Sequence, residues 1–216
     1  LNHRPDCDKT ILAPMTEQEF RKVHPLIAGW IKKTLAEHAS AARPVASLGF
    51  SRLPHYYDAQ LLVSSMVVFV PRVPVPPLSA MGLDRFSEFE QMDAGGITYL
   101  NTYFVRGDQS HLESLHFHEL VHVLQWRLLG PEKFLAFYAD GLERFGYRNS
   151  PLEVMAYNLQ DRFEREAQPF SVEAACQSSI RDMTSHGVGP PFLNRPRARS
   201  VTAGDSGLPP CMQSSD

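Results

Sequence analysis

A chain of 216 residues, 43% hydrophobic and 21% charged, is large enough to bury the core of one domain, with room for a small appendage. Its formal net charge of -3 gives no electrostatic reason to expect a nucleic-acid partner, since backbone-phosphate binding needs a basic surface, although local basic patches stay open. Three cysteines, Cys7, Cys176 and Cys211, show no C-x-x-C spacing, so neither a disulfide framework nor a cysteine zinc site is expected, although one bridge stays open.

In chain order, residues 1–15 read as a loose leader. Their start lacks the apolar stretch of a signal peptide, which favours a cytoplasmic location, while Leu1 leaves a processed start open. Thr16-Glu17-Gln18-Glu19 is a capping-box pattern ahead of Phe20, Val23, Ile27, Trp30 and Ile31, and predicts an amphipathic helix to about Ala42, strained at Pro25. Its two histidines, His24 and His38, read as ordinary surface or core residues. Leu61 to Val70 reads as a buried strand and is far too short to span a bilayer. Four prolines between Pro71 and Pro77 then force an extended connector over 73–78.

Leu83 to Met92 reads as a short helix, closed by the turn Asp93-Ala94-Gly95-Gly96. Residues 97–105, dense in β-branched and aromatic side chains, predict one strand, with only a short connector before the next helix. That helix spans 111–129 and stops at Gly130-Pro131. Two more follow, Glu132 to Phe145 and a third from Ser150 to Pro169, then a short one over 171–183. Residues 186–216, rich in Gly, Pro, Ser and Arg, read as a flexible tail, leaving 16–185 as one domain.

Within the 111–129 helix, His118, Glu119 and His122 form H-E-x-x-H. Residues four apart share a helix face, so both imidazoles can close on one metal ion, and the glutamate beside the first can act as a base. His116 is turned about 200° from His118 and should face away, and His111 falls near the helix start. A third ligand must come from elsewhere. Cys176 and Cys211 lie far downstream, and His186 sits at the edge of the tail. The H-x-x-G-x-x-H extension is missing.

Two carboxylates on following helices remain, Glu143 and Glu153. Glu143 lies among charges near a helix end, whereas Glu153 is one turn inside a helix that must pack on the metal helix. Against Glu153 stands the pattern Ser150-x-x-Glu153, itself a capping box that would occupy the same carboxylate.

The pair of stretches His118-Glu119-Leu120-Val121-His122 and Asn149-Ser150-Pro151-Leu152-Glu153-Val154-Met155-Ala156-Tyr157, with the Gly96-Ile97-Thr98-Tyr99 strand upstream, resembles the gluzincin type of zinc peptidase. The likeness covers about residues 60–168. It implies a zincin-like α+β fold, mostly helical with a small sheet beside the metal helix. It also implies one zinc ion on His118, His122 and Glu153, and Glu119 as general base of peptide hydrolysis. Where several gluzincins carry an aspartate four residues after the ligand glutamate, this chain has Tyr157, so the support of a zinc histidine would fall to the Tyr157 hydroxyl or to Asn158.

A peptide or protein substrate is then expected along Thr98 to Val105, with Tyr138, Tyr147 or Tyr157 as an oxyanion donor. A zincin-like scaffold that binds zinc without cleaving peptides is the alternative, and an accidental motif in a structural helical protein is a third reading.

Overall fold

The computed structural model describes residues 14–165 and 168–194 of the chain. Helix α1 (Glu17–Glu37) starts at the predicted cap: Thr16 Oγ1 accepts from the Glu19 amide at 3.2 Å, and the Glu19 carboxylate accepts from the Thr16 amide at 2.8 Å. Pro25 lies inside it, and the helix stops at Glu37, short of the expected Ala42.

A four-stranded sheet follows, with strands β1 (Arg43–Pro44), β2 (Met66–Val70), β3 (Gly96–Tyr99) and β4 (Thr102–Arg106) in the order β1-β2-β4-β3. The central pair, β2 and β4, is parallel, and both outer strands run antiparallel to their neighbours.

Two sequence expectations are corrected here. Only the second half of Leu61–Val70 is a strand. Its first half belongs to helix α2 (Ala59–Ser64), capped by Asp58, whose carboxylate accepts from the Gln60 amide at 2.7 Å. A short apolar run does not distinguish the two states, and the cap decides. The expected single strand over 97–105 is a hairpin that turns at Leu100-Asn101, with Leu100 at φ 60°. Long-range bonds hold that turn: Met66 N–H donates to the Asn101 carbonyl at 2.8 Å, and the Asn101 amide donates to the Ser64 carbonyl at 2.9 Å. The predicted 83–92 helix is divided into a 3-10 turn (Asp84–Phe86) and one turn of α-helix, α3 (Ser87–Glu90).

Four helices complete the fold: α4 (Glu113–Leu129), α5 (Pro131–Phe145), α6 (Pro151–Arg165) and α7 (Val172–Ser185). Gly130 at φ 75° separates α4 from α5, and Pro131 opens α5 where its missing N–H costs nothing. Every residue of α4 from His116 to Trp126 is buried, because α4 packs against β3 and β4 on one side and against α5, α6 and α7 on others. A helix enclosed in this way can carry polar side chains only if each finds a partner.

The expected tail begins later than residue 186. Gly189 lies so close to Phe137 that a Cβ there would come within 2.4 Å of the ring. Phe192 meets Phe20 at 5.5 Å between ring centroids inside a 3-10 turn (Pro191–Asn194). Apolar residues scattered among Gly and Pro are enough to seat this stretch. Met15, assigned to the leader, is also buried, and its amide donates to Glu143 at 2.8 Å. The remaining leader and tail residues, 1–13 and 195–216, lie outside the described residues. Among the described residues, no helix is long and apolar enough to cross a membrane.

Candidate metal centre

The one-turn spacing of His118 and His122 on α4 puts their Nε2 atoms 3.1 Å apart. Helix α6 crosses α4 so that Glu153 reaches them, with Oε1 3.4 Å from His122 Nε2 and Oε2 3.5 Å from His118 Nε2. All three side chains are buried, and as a group they could hold a metal ion.

Glu153 does not cap α6. The Ser150 hydroxyl that a capping box would use is buried without a hydrogen-bond partner, while the Glu153 carboxylate points at the histidines and accepts from the Tyr138 hydroxyl at 2.8 Å. Glu143 is not brought to the site. It receives Arg85 at 2.7 Å and the Met15 amide.

The rings are oriented by glutamines that the sequence reading did not assign. His118 Nδ1 lies 3.0 Å from Gln160 Oε1, and His122 Nδ1 lies 2.8 Å from Gln125 Oε1. The far ends of both amides fix which atom faces the ring, since Gln160 Nε2 donates to Glu164 and Gln125 Nε2 donates to the Leu152 carbonyl, groups that can only accept. Each imidazole therefore donates from Nδ1 and turns Nε2 toward Glu153. Two Nε2 atoms and a carboxylate in buried surroundings call for a positive charge between them. Burial opposes a proton on His122, yet the Glu153 carboxylate beside it, helped by Glu119, holds that ring up at about 9. Glu153 is held well below the usual carboxylate range despite burial, chiefly by His122. A proton or a metal cation can fill this place, but not both.

Tyr157, expected as a hydrogen-bonding support, instead lays its ring against His118 at 4.6 Å between centroids, and Asn158 is exposed. A signal for the true partners was present, since Gln125 is three residues after His122 and Gln160 seven after Glu153, each on the face of its own ligand.

Glu119 is turned toward β3. Its Oε2 accepts from Thr98 Oγ1 at 2.7 Å, and its Oε1 lies against Gly96, where a Cβ would come within 2.3 Å. Burial pushes the Glu119 carboxyl up, against the pull of His122 and His118. Gly96 thus has a role that its reading as a turn residue missed.

His116 faces away as expected. It is fully buried, donating from Nε2 to the Ser110 carbonyl at 2.9 Å and accepting at Nδ1 from Tyr103 at 2.8 Å, and burial pushes its pKa down. His111 is exposed ahead of α4, and His186 donates to the Asp182 carbonyl at the end of α7.

The expected peptide bed is also revised. β4 is an inner strand paired on both sides, so of the two strands in the expected bed β3 alone lies at an edge, and there the Thr98 carbonyl already accepts from the Trp126 indole at 3.1 Å. Of the three tyrosines, Tyr138 is engaged by Glu153 and Tyr157 by His118, and Tyr138 and Tyr147 line a cavity that Glu119, His122 and Glu153 also line. Comparison with known protein families, with curated proteins and with solved structures finds no match.

Proposed function

We propose that His118, His122 and Glu153 hold one zinc ion and that the protein is a hydrolase of peptide bonds with Glu119 as general base. The supporting observation is the spacing of the three donors. Tetrahedral zinc with bonds of about 2.05 Å separates its donors by ~3.3 Å; the two Nε2 atoms lie 3.1 Å apart, Glu153 Oε1 lies 3.4 Å from His122 Nε2 and Glu153 Oε2 lies 3.5 Å from His118 Nε2, so the carboxylate spans both rings. The donor set itself, two imidazoles and one carboxylate, is that of catalytic zinc sites with a position left for water. Glu153 Oε2, buried and without a hydrogen-bond partner, fits a ligand atom better than a cap.

When bound, zinc lowers the pKa of a water molecule and polarises a carbonyl. The chain's own residues do the rest. Glu119 takes a proton at its carboxylate from the attacking water and delivers it to the departing amine, and the upward push of burial moves this carboxyl toward the range useful for a base near neutral pH. Thr98 and Gly96 set its direction, the glutamines lock both imidazoles, and the Tyr138 hydroxyl, held protonated mainly by burial and then by Glu153, fixes the Glu153 carboxylate.

The test is Glu119→Gln. Zinc content should stay near that of the wild type while cleavage of an unfolded-protein or peptide library disappears. Zinc without any Glu119-dependent cleavage would make the protein a metal-binding scaffold instead.

A further inference from the structure

The cavity lined in part by Glu119, His122 and Glu153 is poorly suited to peptide backbone. Its walls are almost wholly apolar, drawn from α1, the proline connector, the turns around Phe86, β3 and α5. From Phe20 to Ile31, α1 alone lines it over about three turns, or ~16 Å of helix.

Besides Glu119, His122 and Glu153, few polar groups line it, and most of these are already engaged. Thr98 bonds Glu119, the Tyr99 hydroxyl donates to the Pro74 carbonyl at 2.8 Å, Tyr138 bonds Glu153, and the Trp126 indole bonds the Thr98 carbonyl. Among the described residues, no lysine, arginine or aspartate lines it. A peptide unit pushed into this space would leave its N–H and C=O without partners, whereas an alkyl chain would lose nothing and shed its contact with water.

We propose that the cavity binds a long alkyl chain carried by the substrate, and that the bond cut is an amide beside that chain. This rests on the amide hydrolysis proposed above. Water's oxygen joins the carbonyl carbon, the C–N bond breaks, and the nitrogen leaves with the proton relayed by Glu119, giving a carboxylic acid and an amine. One of the two products keeps the chain.

Calorimetry on the zinc-loaded Glu119→Gln protein tests this without turnover. The probes are two neutral series from octyl to dodecyl, fatty primary amides with the chain on the carbonyl and N-alkylacetamides with it on the nitrogen. Affinity should rise in at least one series by up to about fourfold per methylene. Val23→Trp, which fills the α1 wall at a partly exposed position, should weaken the dodecyl member at least tenfold with zinc content unchanged. Affinity independent of chain length in both series, no binding at all, or a Val23→Trp protein that binds the dodecyl probe normally would each overturn the proposal. Chain-length-dependent binding in a protein that hydrolyses no amide would instead sink the hydrolase reading and leave the cavity assignment standing.

Discussion

Glu153 brings its unpartnered Oε2 to within 3.5 Å of His118 Nε2 and abandons the helix cap its sequence position offers. Glu143, the other carboxylate at a plausible sequence distance, is paired with Arg85 and the Met15 amide. We therefore expect Glu153→Ala to lose zinc altogether in metal analysis. Glu143→Ala should keep it and lose about 1–3 kcal/mol of stability, read as a melting temperature a few degrees lower.

Glu119 is held by two neighbours on β3, Thr98 and Gly96. Thr98→Val removes the hydroxyl that donates to Oε2, and Gly96→Ala puts a methyl group where Oε1 lies. Because the group displaced is the end of a flexible side chain, the cost should appear in turnover rather than in stability. We expect kcat to drop by about tenfold or more in both variants, with zinc content unchanged. A lower zinc content, or unchanged turnover in Gly96→Ala, would contradict this placement of Glu119.

The glutamines make a separate claim. Gln125→Ala and Gln160→Ala each remove the acceptor that fixes one imidazole, and zinc affinity measured by competition with a chelator should fall by ~10–100-fold. Asn158→Ala, at the exposed position that the sequence made a candidate, should leave it unchanged.

Cys176 lies on the buried face of α7, and burial first, then Glu173, pushes its thiol up to about 12. Only the thiolate reacts, and at pH 8 a thiol of that pKa is ionised to ~1 part in 10,000. Alkylation by iodoacetamide, mapped by peptide mass, should spare Cys176 in the native protein and label it in denaturant. Rapid native labelling would mean that α7 opens easily.

The parts of the fold legible in the sequence were those set by local chemistry. The Thr16 cap, the stop at Gly130-Pro131 and the periodicity of α4 to α7 need no distant partner to be recognised. The hairpin at Leu100-Asn101 was not legible, because it is fixed by Met66 and Ser64 more than thirty residues away and puts a leucine at positive φ. The α2 helix was hidden because the three-residue apolar run Leu61-Leu62-Val63 carries no period. At the site, H-E-x-x-H named two candidate ligands and a base, but one sequence pattern served Glu153 both as cap and as ligand. Only the crossing of α6 over α4 distinguishes them. The supporting glutamines sat at telling spacings, three after His122 and seven after Glu153, but spacing alone did not assign them, since an amide's value lies in what its two ends meet.

The most direct measurement is anomalous X-ray scattering at the zinc edge from crystals of protein purified without chelators. One peak per chain should lie within about 2.0–2.2 Å of His118 Nε2, His122 Nε2 and a Glu153 oxygen. No peak, or a peak bonded to residues other than these three, would contradict the metal centre and with it the hydrolase.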